Sequence, residues 1–231
     1  MRIISAGKAL WHFLVAPWRV QEATPQTAMA IFAIAVLLIA MTSTWCAMLE
    51  NGDVSLAVES RILTQNAAVA PVKDAQLDLS SPQRQFTGAL GGALMVTIVS
   101  IAALAGLFLV MTRFMTDAPV THSMAMVSVA SSALLQCADL ALTTTSHLYF
   151  HTARAGLHAG IFISPLEAPV LFTWLQRISL VSVWQYIAIA IALTTWGGLH
   201  RRFGIVVGLV VWIITMLVFG ALTLVNWVVS L

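Results

Sequence analysis

The chain has 231 residues, 60% of them hydrophobic and only 9% charged, with a net charge of +2. Soluble domains carry roughly 45–50% apolar and about 25% charged residues, so charge this sparse cannot solvate a water-soluble globule of this size. The small net charge, with no basic patch interleaved with aromatics, also argues against a nucleic-acid partner.

The bilayer is then the solvent for most of the chain, where every backbone N–H and C=O must be satisfied internally; only helix bundles and closed barrels meet that condition. Barrel strands alternate apolar and polar residues over about ten positions, whereas the apolar runs here are long and unbroken. The expectation is an all-α, polytopic transmembrane helix bundle.

In chain order, residues 1–25 read as a cytoplasmic amphipathic segment. Ile3, Ile4, Trp11, Leu14, Val15 and Trp18 recur at helix-like spacing with Arg2, Lys8 and Arg19 between them. This suits a helix lying in the headgroup layer, anchored by Trp11, Trp18 and Arg19 and ended or kinked by Pro17. Charges, two prolines and the lack of a cleavage site speak against a signal peptide. Residues 26–231 form the membrane domain. Crossing about 30 Å of hydrocarbon takes about 20 helical residues, and five stretches qualify: 27–49, 88–112, 123–147, 178–197 and 203–229. Pro25 suits the first turn of the first helix, and Gly197-Gly198 closes the fourth span. The loop 50–87 is polar and mildly acidic. The loop 148–177 has Gly156, Gly160, Pro165 and Pro169 among apolar residues, which suggests a re-entrant or interfacial element packed on the bundle. Arg113, Arg201 and Arg202 sit in short connections next to span ends. They favour a cytoplasmic N-terminus, with the C-terminus and both long loops outside.

The order of segments carries a resemblance. Ala16-Pro17-Trp18-Arg19 precedes the first span, and Ser81-Pro82-Gln83 precedes the second. The chain closes on a tightly spaced pair, Ile178-Ser179-Leu180-Val181-Ser182-Val183-Trp184-Gln185 through Gly197-Gly198-Leu199-His200-Arg201-Arg202-Phe203-Gly204. This pattern resembles the bacterial branch of the Yip family, small five-span membrane proteins with a cytosolic N-terminus. The likeness spans nearly the whole chain in topology and residues 178–226 in motif. It departs at Thr194-Thr195-Trp196, where relatives often have Gly and Leu, and in the loop 50–87. The resemblance implies a non-catalytic protein of a bacterial inner membrane, without cofactor, that works through lipid and protein contacts. Bacterial relatives are often linked to ABC-type export systems, which implies ABC transporter subunits as partners. Eukaryotic relatives act through a longer cytosolic N-terminal domain.

Within the spans, Asp139 is the most informative residue. A carboxylate at mid-membrane is costly, by at least about 2.5 kcal/mol on insertion scales, and normally faces the bundle interior or a water cavity. Gln136, Asp139 and Thr143 share one helix face. They read either as a proton or ion site of a small transporter or as hydrogen-bonded structural glue. His147 and His151, at i and i+4, could share zinc or copper, with His158 further along; interfacial anchoring is the competing reading, and no metalloprotease motif accompanies them. Gly204 and Gly208 form a small-residue face for helix packing. Trp184 and Trp212 lie deeper than the other tryptophans and suit core or partner contacts. Cys46 and Cys137 fall within spans and read as small apolar residues. No nucleophile constellation or phosphate loop emerges, so an enzyme is not expected.

Overall fold

The computed structural model describes residues 25–56, 59, 82–164 and 167–229, together with Trp11, Phe13, Ala16 and Pro17. The proposed headgroup-layer helix lies mostly outside the described residues, including Trp18 and Arg19. Trp11 and Phe13 are helical; Trp11 is exposed, while Phe13 is wholly buried against the bundle core.

Among the described residues, seven α-helices follow: α1 (Pro25–Gly52), α2 (Pro82–Thr116), α3 (His122–Ser131), α4 (Ala133–Phe150), α5 (Pro169–Leu175), α6 (Leu180–Trp196) and α7 (Arg201–Val229). A 3-10 turn at Ala159–Phe162 precedes α5. The protein is an all-α helical bundle built for a membrane. Among the described residues four helices are long and apolar enough to cross one: Ala28–Gly52, Phe86–Thr116, His122–Phe150 and Arg201–Val225. The fifth, α6, is an apolar helix of 17 residues, about 26 Å at 1.5 Å per residue, at the short limit of a spanning helix.

Two boundaries differ from the sequence reading. The first loop is shorter than 50–87, because α1 runs on to Gly52 and α2 already begins at Pro82. The third span is not continuous: α3 and α4 are separated at Ser132, whose Oγ donates to the Val129 carbonyl at 2.7 Å. A serine side chain that bonds a carbonyl of the preceding turn competes with the helical ladder, and serine pairs such as Ser131-Ser132 are common kink sites.

The core is made where small residues let backbones meet. In α6 every residue from Ala188 to Thr194 is buried, with alanine alternating against Ile189, Ile191 and Leu193. A helix apolar all round belongs in the interior. α7 lies against it through two glycines: a Cβ at Gly204 would stand 2.6 Å from the Ile191 Cα, and one at Gly208 2.6 Å from the Ile187 Cα. α1, α2 and the connection before α3 complete the core with Ile31, Ile39, Phe108 and Val120.

Side-chain pairs fix the helix directions. Thr42 of α1 hydrogen-bonds Cys137 of α4, and Glu50 of α1 meets Thr144 and His147 of α4. Partners advance together along both chains, so α1 and α4 run parallel. Between α4 and α6 the pairs Ser132–Gln185 and Asp139–Ser179 advance in opposite senses, so those helices are antiparallel. α1 and α4 therefore end, and α6 begins, on one side of the bundle, here called the distal end. The opposite, proximal end carries Arg113, whose Nε donates to the Val120 carbonyl at 2.9 Å, together with Arg201 and Arg202.

Candidate functional site

Among the described residues, a cluster of acids and histidines gathers at the distal end. Where α1 stops, Glu50 and Asp53 stand one turn apart; where α4 stops, so do His147 and His151. Because the two helices are parallel, the acids face the histidines in order. His147 Nδ1 donates to Glu50 Oε1 at 2.8 Å, and the Thr144 hydroxyl donates to the same oxygen at 3.0 Å. His151 Nδ1 pairs with Asp53 Oδ2 at 2.6 Å. Further on, the Glu59 carboxylate accepts from the Ala153 backbone N–H at 2.6 Å and from the Thr152 hydroxyl.

The two pairs differ in setting. His147 is buried, whereas the His151 side chain is 68% exposed. The i, i+4 spacing does not bring these histidines to one metal, for a local reason: α4 ends at Phe150 and His151 takes a left-handed conformation with φ of 53°. Its ring leaves the helix face that His147 occupies and turns to Asp53. The hydrogen bond from His151, with the backbone N–H groups of Leu56 and Ser55, holds the Asp53 carboxyl below the usual aspartate range.

The neighbour of His147 is instead His158, from the loop after α4, with ring centres 6.3 Å apart. His158 is 5% exposed, and its opposite neighbour is Phe172 of α5, edge-on at 6.2 Å. Two glycines make room for this imidazole. A Cβ at Gly156 would lie 2.6 Å from its Cδ2, and one at Gly160 2.9 Å from its Nδ1. Burial, with the His147 imidazole as neighbour, holds the His158 pKa below the ordinary histidine value. Three nitrogens here are buried without a hydrogen-bond partner among the described residues: His147 Nε2, His158 Nδ1 and His158 Nε2.

The loop that carries His158 is fastened to both α6 and α7. The Ala159 N–H donates to the Ile178 carbonyl at 2.9 Å, and His158 faces Ser179 in an isolated antiparallel bridge. Ser179 is also the N-cap of α6, accepting from the Ser182 N–H at 2.9 Å. Its hydroxyl donates to Asp139 Oδ2 at 3.3 Å. Asp139 thus has a partner from another helix, which the sequence did not reveal; Gln136 and Thr143 share its face without bonding to it. α5 is held against α7 by the Trp174 indole N–H, which donates to the Met216 carbonyl at 2.9 Å beside Gly220. Next to it the Arg177 guanidinium lies 4.0 Å over the Phe219 ring, a cation–π contact. An apolar cleft of about 690 Å³ opens between α5 and α7, lined by Leu171, Trp174, Leu217 and Leu224, with Glu167 as its one carboxylate.

The remaining residues singled out from the sequence lie elsewhere. Gly204 and Gly208 are the contact of α7 with α6. Trp212 donates to the Ser182 hydroxyl at 3.4 Å, and Trp184 is partly exposed on α6. Cys46 and Cys137 are free thiols at the α1–α4 contact. Glu50, Ser179 and the glycines beside His158 were not foreseen as site residues. The available signal was the pair of matched spacings, acids at 50 and 53 and histidines at 147 and 151, once the spans are known to be parallel. No family model, curated protein or solved structure matches this chain.

Proposed function

We propose that this chain is a non-catalytic subunit of a bacterial inner membrane, of the Yip type, that binds a larger integral membrane protein; by that resemblance the partner is an ABC-type exporter. The N-terminus would face the cytoplasm and the C-terminus the outside. The observation that carries this reading is the use made of the acids. Glu50, Asp53, Glu59 and Asp139 each accept hydrogen bonds from a neighbouring element. Carboxylates so engaged join neighbouring elements of the bundle. Meanwhile α2 turns Met95, Val96, Val99, Val110 and Phe114 outward, a surface suited to lipid or another apolar helix. Purification of the tagged protein in mild detergent, followed by mass spectrometry, tests the proposal. A stoichiometric ATPase or permease subunit supports it, and a clean monomer or homo-oligomer refutes it.

A second reading, a small proton-coupled transporter, is favoured by one specific contact: Asp139 bonds the same Ser179 whose backbone pairs with His158. Ser179 thus stands between a titratable carboxyl, which its hydroxyl bonds, and the backbone of a residue with a buried imidazole. An Asp139→Asn variant that assembles normally but no longer dissipates an imposed pH gradient in vesicles supports transport. A variant that fails to assemble makes Asp139 structural.

A further inference from the structure

We propose that His147 and His158 bind a single monovalent copper ion between Nε2 of His147 and a ring nitrogen of His158. The starting point is the three buried, unpartnered ring nitrogens. Buried polar atoms without a partner are uncommon and call for a specific reason, an ion or water among them. Here they belong to neighbouring rings that are 7% and 5% exposed. The hydrogen bond from His147 Nδ1 to Glu50 also selects the tautomer, since the proton sits on Nδ1 and Nε2 keeps its lone pair. A carboxylate behind the far nitrogen is the usual way a metal-bound imidazole is oriented and made more basic. The space beside His158 is reserved for its ring, because a side chain at Gly156 or Gly160 would collide with it.

The ring spacing selects the ion. With metal–nitrogen bonds of about 2.0–2.1 Å, each ring centre stands about 3.2 Å from a shared ion. Two rings in line are then about 6.4 Å apart, and two at the tetrahedral angle about 5.2 Å. The observed 6.3 Å matches the in-line arrangement. Zinc would require the rings to close by about 1 Å and would need further ligands. No group of three or more His, Cys, Asp and Glu placed to hold a metal occurs among the described residues. Linear two-coordination by neutral imidazoles, away from water and next to Phe172, is the chemistry of a closed-shell coinage-metal cation. The 73° between the ring planes is no obstacle, because rings on a linear ion rotate freely about its axis. This inference stands apart from the question of an export partner.

The test uses the full chain purified in detergent under anaerobic conditions and titrated with copper(I) against a chromogenic chelator. One ion per chain is expected, with Zn²⁺ unable to displace it at equal concentration. X-ray absorption at the copper edge should show two nitrogen neighbours with the outer-shell signature of imidazole. Glu50→Gln, which lies behind the far nitrogen of His147 and otherwise meets only the Thr144 hydroxyl, should weaken binding by about 10–100-fold, and His158→Asn by more than that. Failure to compete with the chelator, a sulfur shell from methionine or cysteine, or displacement by zinc would each overturn the proposal. So would unchanged affinity in a His158→Asn protein. The absorption measurement on the unmodified chain decides the matter even if a variant does not fold.

Discussion

The same substitution, glycine to alanine, should act in opposite directions at two places in this bundle. At Gly208 the new Cβ would sit 2.6 Å from the Ile187 Cα and 2.9 Å from the Tyr186 carbonyl oxygen. Both obstacles are backbone, so no rotamer change relieves them. Restoring ordinary contact means moving α7 away from α6 by about 1 Å, which loosens the packing around Val207 and Val211, both essentially unexposed. Overpacking of this kind costs about 1–3 kcal/mol. At Gly92 nothing lies within 4 Å of the added carbon, and the residue sits inside the long helix α2. There alanine only restricts the unfolded chain and improves the helix, a gain of about 0.5–1 kcal/mol. The two variants should therefore differ by about 2–4 kcal/mol, with thermal unfolding in detergent moving down for Gly208→Ala and up for Gly92→Ala. For chains of this length each kcal/mol corresponds to about 2–4 °C. Equal shifts, or a stabilised Gly208→Ala, would refute the close α6–α7 contact and with it the role assigned to the two α7 glycines.

Three further outcomes follow from the distal end. Glu50→Ala strips the buried His147 of its Nδ1 partner, and leaving that donor unpaired should destabilise the protein by about 1–3 kcal/mol by thermal melting; a neutral result would mean the pair contributes no net stability. Because His151 lies in solvent, the same assay on His151→Ala should show no resolvable change. Asp53 has a folded pKa below its ordinary value of 3.8, so its contribution is complete above pH 3.8 and is lost as pH falls through the lower folded value. Protection of the Ser55 and Leu56 amides from hydrogen exchange, relative to their intrinsic exchange rates, should fall in that acid window, and Asp53→Asn should remove that fall. Trp174→Phe removes the bond to the Met216 carbonyl and should raise exchange in α5 without affecting α1 or α4, whereas a uniform rise across the bundle would show that α5 is not a separable unit.

The helices were legible in the sequence because a bilayer imposes length and apolarity directly on each span, and these are local quantities. The break at Ser132 was less so, since a serine side chain bonds either its own helix or a neighbour, and the choice depends on packing. The arrangement of the histidines was not legible for a geometric reason. Spacing of i and i+4 predicts a shared face only while the helix continues, and the helix ends between His147 and His151. His158 was visible only as a loop residue, because its burial is created by Phe172, Gly156 and Gly160, which reach it through the fold of the loop. Asp139 looked isolated because its partner, Ser179, is a cap residue just before the next helix rather than a polar residue within a span.

The distribution of polarity constrains what this bundle can do. In hydrocarbon a helix pair gains little from burying apolar surface, since lipid is equally apolar, and close packing and hydrogen bonds must supply the specificity. The chain divides these devices between its two halves. α6 and α7 are joined by glycine contacts, whereas α1 and α4 are joined near the distal end by hydrogen bonds between charged or titratable groups. The first junction adds the Trp212–Ser182 and Tyr186–Thr215 hydrogen bonds. The second adds carboxylates and imidazoles, and the loop that covers it is tied to α6 by Ser179 and to α7 by Trp174. An ion, proton or partner that altered the His147–His158 neighbourhood would therefore act on α1 and α4 directly and on α6 and α7 through that loop. The glycine-packed pair is the frame against which such a change would move.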